Sequence, residues 1–150
     1  MKRMSDKQLR SAFNAAGLRL TRQRLLICRE LAGRCDHPDV ERIYRAVKPR
    51  LRQISLFTVY RTMNALESAG MARRVATWKG HARYDGNVQI HAHFLCEKCG
   101  RIDDVEAHEA CRELAAHAQE CVRGNVHRVD MMIFGECESC VAARSVPQEA

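Results

Sequence analysis

With 150 residues, 5% of them aromatic, and a formal net charge of +7, the chain has room for one ordinary domain or two small ones and not for a large aromatic core. Its charge is segregated: residues 1–86 hold 19 Lys+Arg against 7 Asp+Glu, and residues 87–150 hold 6 against 11. A solvated charged surface accounts for the number of charges but not for this division, which points to a polyanion-binding module followed by a regulatory or assembly module.

In chain order, Ser5 reads as the N-cap of a first helix reaching about Ala16, with Leu9, Ala12, Phe13 and Ala16 on one face and Gly17 as its stop. Thr21 caps a second helix with Leu25, Ile27, Cys28 and Leu31 apolar, ending at Gly33. Cys35-Asp36-His37-Pro38 is a turn, and Pro38 or Asp39 opens a third helix through Ile43, Tyr44 and Val47 to Pro49. Ser55 or Thr58 opens a fourth, closing at Gly70. Two short strands follow, near Ala72–Thr77 and Ala82–Tyr84, joined through Trp78-Lys79-Gly80-His81. Basic helices followed by a small hairpin spell a winged helix-turn-helix over residues 1–84, in which one helix enters the major groove of double-stranded DNA and the wing meets the backbone. The fourth helix is the candidate for the groove. Thr58, Tyr60, Arg61 and Thr62 supply hydrogen-bond donors for phosphates or base edges, and Val59, Met63 and Leu66 face inward.

Asp85-Gly86-Asn87 carries turn residues where the charge balance reverses, so residues 85–90 read as a hinge. Beyond it, over 91–150, the pattern becomes an α/β unit: strands over Ile90–Leu95 and Arg101–Glu106, one covering helix over roughly Glu109–Cys121, and a strand within Val126–Gly135, where Val129, Met131 and Ile133 alternate. The tail after Ala143 reads as irregular. The fold class expected is therefore α+β, a winged helix followed by an α/β unit with a small sheet. Such a sheet has open edges that a second copy of the chain would bury.

The densest chemistry lies in His91-Ala-His-Phe-Leu-Cys-Glu-Lys-Cys-Gly100. Cys96 and Cys99 form one C-x-x-C and Cys137 and Cys140 another, and two such knuckles supply the four thiolates of a closed structural zinc site. A thioredoxin-like redox pair is the competing reading, but no surrounding βαβ pattern supports it. His91 and His93 alternate as residues do on one strand face, and with Asp85, Asp104 and His37 they make a mixed imidazole and carboxylate set suited to Fe(II), Mn(II) or Zn(II). Cys28, Cys35, Cys111 and Cys121 read as small buried hydrophobes or a backup disulfide. No apolar run reaches the roughly 18 residues of a membrane span, and Met-Lys-Arg-Met-Ser-Asp leads into polar helix, so the expectation is a cytoplasmic protein whose cysteines serve metal.

These residues resemble the ferric uptake regulator family over nearly the whole chain, from Gly17-Leu-Arg-Leu-Thr-Arg-Gln-Arg24 through His37-Pro38 and Thr58-Val-Tyr-Arg61 to the His91–Gly100 stretch and Cys137-Glu-Ser-Cys140. The resemblance implies a homodimeric, metal-activated repressor with an N-terminal winged helix and a C-terminal dimerisation domain. Within the family the peroxide-sensing repressors look most similar. Their regulatory ion is held by three His and two Asp, matching His37, Asp85, His91, His93 and Asp104, where iron-sensing members commonly carry Glu at the two Asp positions. Asp103, next to Asp104, is the alternative fifth ligand. In the peroxide sensors Fe(II) reacts with hydrogen peroxide and a ligand histidine is oxidised; the resemblance makes His37 and His91 the targets, with iron then lost and DNA released. Manganese would support DNA binding and react poorly with peroxide. The chain departs from the family at Val129, where a His is frequent (His127 is displaced), and at Ala92, where an acidic residue is common, which implies that an additional metal site of some relatives is missing. Iron, zinc or manganese sensing is the alternative within the family. A zinc-dependent enzyme is the alternative outside it, with Glu97, Glu106 and Glu109 available as bases but in no recognisable motif.

Overall fold

The computed structural model describes residues 6–145. The chain divides into two compact units, one up to Val88 and one from Gln89.

The first unit has four helices, α1 (Asp6–Ala15), α2 (Arg22–Ala32), α3 (Val40–Val47) and α4 (Leu56–Ser68), followed by the antiparallel hairpin β1 (Arg73–Trp78) and β2 (His81–Asp85). The starts of α2, α3 and α4 are each set by a side chain that accepts from a first-turn N–H which would otherwise lack a partner. Thr21 Oγ1 accepts from Arg24 N at 3.2 Å, Asp39 Oδ1 from Arg42 N at 2.7 Å and Ser55 Oγ from Thr58 N at 3.1 Å. Asp39, not Pro38, and Ser55, not Thr58, are thus the caps of α3 and α4. Ser5, the expected cap of α1, lies outside the described residues. Leu9, Phe13, Ile27, Leu31, Ile43, Val47, Val59, Met63 and Leu66 interdigitate as one core, closed by Ile54, Ala72 and Tyr84. This is the winged-helix arrangement of helices and hairpin read from the sequence.

Asp85 differs from expectation in its setting. It is the last residue of β2, buried, and not part of an open connection; its Oδ1 accepts from Asn87 N at 2.7 Å. Gly86 then passes so close to α2 that a Cβ there would sit 3.1 Å from the Ala32 Cα, so a side chain at this position would push against the helix backbone.

The second unit is a three-stranded sheet in the order β4-β3-β5, with β3 (Ala92–Cys96) antiparallel to β4 (Ile102–Val105) and parallel to β5 (Met131–Gly135). Helix α5 (His108–Cys121) lies between β4 and β5 in sequence, and α6 (Glu138–Ser145) follows β5. α6 was not expected, since its stretch was assigned to a knuckle and an irregular tail. The described helix overlaps that tail. Nor does α5 cover the sheet in a single chain: Cys111 is its one buried residue, and Leu114 is 44% exposed. Its apolar residues are mostly alanines, too small to fill the space above a sheet unaided. Among the described residues, no helix is long and apolar enough to cross a membrane.

Replacing Ser55 by Ala should lower the unfolding free energy by about 1 kcal/mol, and Ser55→Asp should retain most of it. Urea denaturation followed by circular dichroism measures both.

Candidate metal centres and nucleic-acid face

The four knuckle cysteines come from four places in the second unit. Cys96 ends β3, Cys99 sits in the tight connection to β4, Cys137 follows β5, and Cys140 lies on α6. Gly100, at φ 73°, takes the left-handed backbone that turns this connection back, and its N–H donates to Cys96 O at 2.8 Å. The parallel register, with Cys96 opposite Gly135, brings the second knuckle beside the first. All four Sγ atoms lie within 4.8 Å of one another, with Cys96–Cys140 at 3.8 Å and Cys99–Cys137 at 3.7 Å. A tetrahedral zinc with bonds of about 2.3 Å requires sulfur–sulfur edges of about 3.8 Å, whereas a disulfide requires about 2.05 Å. The cluster fits a zinc site. The Cys137 N–H, donating to Cys96 Sγ at 3.3 Å, leads the contacts that hold the Cys96 thiol below its ordinary range. Contact with Cys137 and then Cys99 pushes Cys140 up. Four crowded thiols cannot all ionise by themselves, and a divalent cation removes that conflict.

Of the other cysteines, Cys28 and Cys111 are buried as expected, and burial pushes the Cys28 thiol up to about 11. Cys35 and Cys121 are exposed, contrary to the expectation of buried hydrophobes.

Imidazole and carboxylate donors occur in both units. In the first, His37 and Asp85 are 1% and 4% exposed, with ligand-type atoms within 4.8 Å of each other. His37 has φ 46°, a left-handed backbone uncommon for a residue with a side chain. Three bonds from β2 hold it there. The Arg83 guanidinium donates to the His37 and Asp36 carbonyls, the latter at 2.7 Å, and Tyr84 N donates to Pro38 O at 3.1 Å. From the other side, Arg34 fixes Asp36 at 2.6 Å and holds its carboxyl below the usual range. Arg83 was missed in the sequence; its spacing of two from Asp85 on a strand was the available signal.

In the second unit, His91 lies one residue before β3 and His93 within it, with ring centroids 4.4 Å apart. The His91 Nδ1 is 2.8 Å from Gln89 O, and since a carbonyl can only accept, that nitrogen is the donor, an arrangement that in the neutral ring puts the lone pair on Nε2. Asp104 pairs with His93 across β3 and β4, and its Oδ1 is 3.4 Å from His91 Nε2 and 3.8 Å from His93 Nε2. Asp103 pairs with Phe94 and bonds Arg101 at 2.9 Å. The carboxylate that accompanies the two imidazoles is therefore that of Asp104.

On α4, Val59 and Met63 are fully buried, while Tyr60 is 41% exposed and Arg61 is also exposed. Thr58 Oγ1 is 2.8 Å from Ser55 Oγ within the cap. Thr62 is buried and donates its hydroxyl to Thr58 O at 2.8 Å, so it faces the helix itself. Arg19, Gln23, Arg24, Phe57 and Arg61 line a cleft of about 440 Å³ beside α4. Phe57 was not singled out in the sequence.

A winged-helix unit with a basic cleft, joined to a small sheet that carries a four-thiol cluster, is the build of a metal-binding DNA-recognition regulator. The chain belongs to the ferric uptake regulator family, whose family model matches residues 15–133. It is 32% identical over 130 residues to the peroxide-responsive repressor of Staphylococcus epidermidis, covering 87% of this chain and 86% of that protein. Among solved structures, it resembles the Campylobacter jejuni peroxide stress regulator (TM-score 0.72, 27% identity, 91% of this chain and 100% of the other). It also resembles a zinc-bound manganese uptake regulator (TM-score 0.60, 32% identity, 85% of this chain and 98% of the other).

Arg83→Leu removes two charged donations to backbone carbonyls and should cost roughly 1–3 kcal/mol of stability. Native-state hydrogen exchange should accelerate selectively at the Asp36 and His37 amides, which separates this effect from a general loosening.

Proposed function

We propose that this chain is a homodimeric, metal-dependent transcriptional repressor that releases its operator DNA when peroxide oxidises a ligand histidine. The observation that carries the reading is the donor set: a His37–Asp85 pair in one unit and a His91–His93–Asp104 triad in the other, all five residues of types that suit Fe(II), Mn(II) or Zn(II). Neither group alone makes five ligands, and one ion taking both would tie the orientation of the DNA-binding unit to metal occupancy. Residues 1–84 are then the DNA-binding domain, 85–90 the hinge, and 91–150 the domain for dimerisation and metal binding. Of the DNA-contacting set expected on α4, Tyr60 and Arg61 are exposed and Thr58 is half-buried in the cap, whereas Thr62, buried and bonded to Thr58 O, drops out.

Iron(II), when bound, supplies electrons to hydrogen peroxide. The chain's own part is to hold two imidazoles next to that chemistry. Bonds from Arg83 hold the backbone of His37 and Asp36, and His91 Nδ1 is committed to Gln89 O, which would keep both residues in place beside a bound ion. An oxidised imidazole would be a weaker ligand, so His37 or His91 would no longer hold the ion. Aspartate at both carboxylate positions and the likeness to two peroxide-responsive regulators support this reading over iron or manganese sensing.

The structural zinc is assigned to Cys96, Cys99, Cys137 and Cys140 on the tetrahedral sulfur spacing. A second copy is assigned to the second unit, where Ile133, Phe134, Leu114 and Val141 are 45%, 61%, 44% and 42% exposed. So much open apolar surface on a small lobe marks an interface.

Cys96→Ser should lose zinc, measured by elemental analysis, and dissociate to monomers in analytical ultracentrifugation. A stable zinc-free dimer would refute the structural role. After peroxide treatment of the Fe(II) form, mass spectrometry should find one added oxygen on a peptide containing His37 or His91, with none on the Mn(II) form. Unmodified peptides, with DNA release on metal removal alone, would reassign the chain as an iron or manganese sensor.

A further inference from the structure

Phe57 is 67% exposed on the first turn of α4, more than any other large apolar side chain among the described residues. Core packing does not account for it, because the inward positions of that helix are filled by Val59, Met63 and Leu66, each fully buried. One turn on, the Arg61 guanidinium lies 5.8 Å from the Phe57 ring centroid, so the apolar ring and the cation share a face. Arg19 and Arg24 line the same cleft, and Arg24 is anchored by a 2.9 Å bond to Arg19 O. A surface that offers one large apolar ring among three arginines complements a partner that is densely anionic yet presents an isolated apolar group. The major groove of DNA has that chemistry: phosphates on both rims and a single apolar group on its base edges, the thymine 5-methyl.

We propose that Phe57 is a base-reading residue of this chain, its ring packing on the methyl group of one thymine per half-site while holding Arg61 against the neighbouring base edge. This rests on the DNA-binding reading above and adds to it the position and kind of base that is read. The ring makes no hydrogen bond, so it distinguishes thymine from the other bases by the methyl alone. Arg61, stacked on it, loses rotamer freedom before binding.

The test uses the purified full chain loaded with Mn(II) and a duplex selected by that protein from a random-sequence pool. Each thymine of the selected site is replaced in turn by deoxyuridine, which removes only the methyl. For the unmodified protein, one symmetric pair of positions should respond, with affinity falling roughly fourfold per methyl. Phe57→Ala should bind the thymine duplex more weakly and show no further loss at those positions, so that the two changes are non-additive. Because Phe57 is exposed, the variant should keep the parent's circular dichroism and melting temperature. Equal uracil sensitivity in Phe57→Ala and parent, or no sensitive thymine in the parent, overturns the assignment while leaving DNA binding intact. Failure to enrich any duplex overturns the DNA-binding reading itself, and this assignment with it.

Discussion

The parallel pairing of β5 along β3 is the constraint on which the second unit depends. It sets Cys96 level with Gly135, and two residues later the chain delivers Cys137 to the first knuckle. Antiparallel hairpins can form from neighbouring sequence, but a parallel pair needs a long crossover, here provided by the stretch containing α5. Because α5 buries little in a single chain, the sheet has little hydrophobic support on that side. A four-thiolate metal site at one end of the strands supplies by coordination the rigidity that a lobe of this size cannot gain from its core.

In the first unit the problem is different. Packing of α1 to α4 provides a full apolar core, so the unit can hold a strained feature without support from metal. That feature is His37, in a left-handed backbone and fixed by donors from β2. β2 contributes to the same place twice, because Arg83 and Asp85 are two residues apart on one strand: one grips the loop that presents the imidazole, and the other stands beside that imidazole as a carboxylate. Strain at an imidazole donor and rigidity around it belong together, since a ligand held in place makes metal binding more selective for geometry.

The face of α4 shows the same division of labour within one helix. Three inward residues anchor it, Thr62 satisfies its own backbone, and Phe57, Tyr60 and Arg61 remain outside. Helical periodicity identifies the three inward residues, but the inward turn of Thr62 was decided by its bond to Thr58 O. Why an exposed phenylalanine is tolerated there is a question about what the helix meets, and not about how it folds.

The local order of the chain could be read directly from its residues. The cap at Thr21, the stops at Gly17 and Gly70, the hairpin and the two cysteine knuckles all follow from interactions within a few positions, while the caps of α3 and α4 were narrowed to two neighbouring residues each until bonding selected Asp39 and Ser55. Other features depend on contacts between residues far apart in the chain. These include the bond from Arg83 to the His37 loop, the choice of Asp104 over Asp103, the parallel register of β5, and the close pass of Gly86 by Ala32. The exposure of Cys35 and Cys121 and the open side of α5 were likewise decided by tertiary structure, because burial depends on which elements meet and composition does not specify that. Propensity and capping act over one turn of helix, whereas the sites are made where distant strands and loops come together.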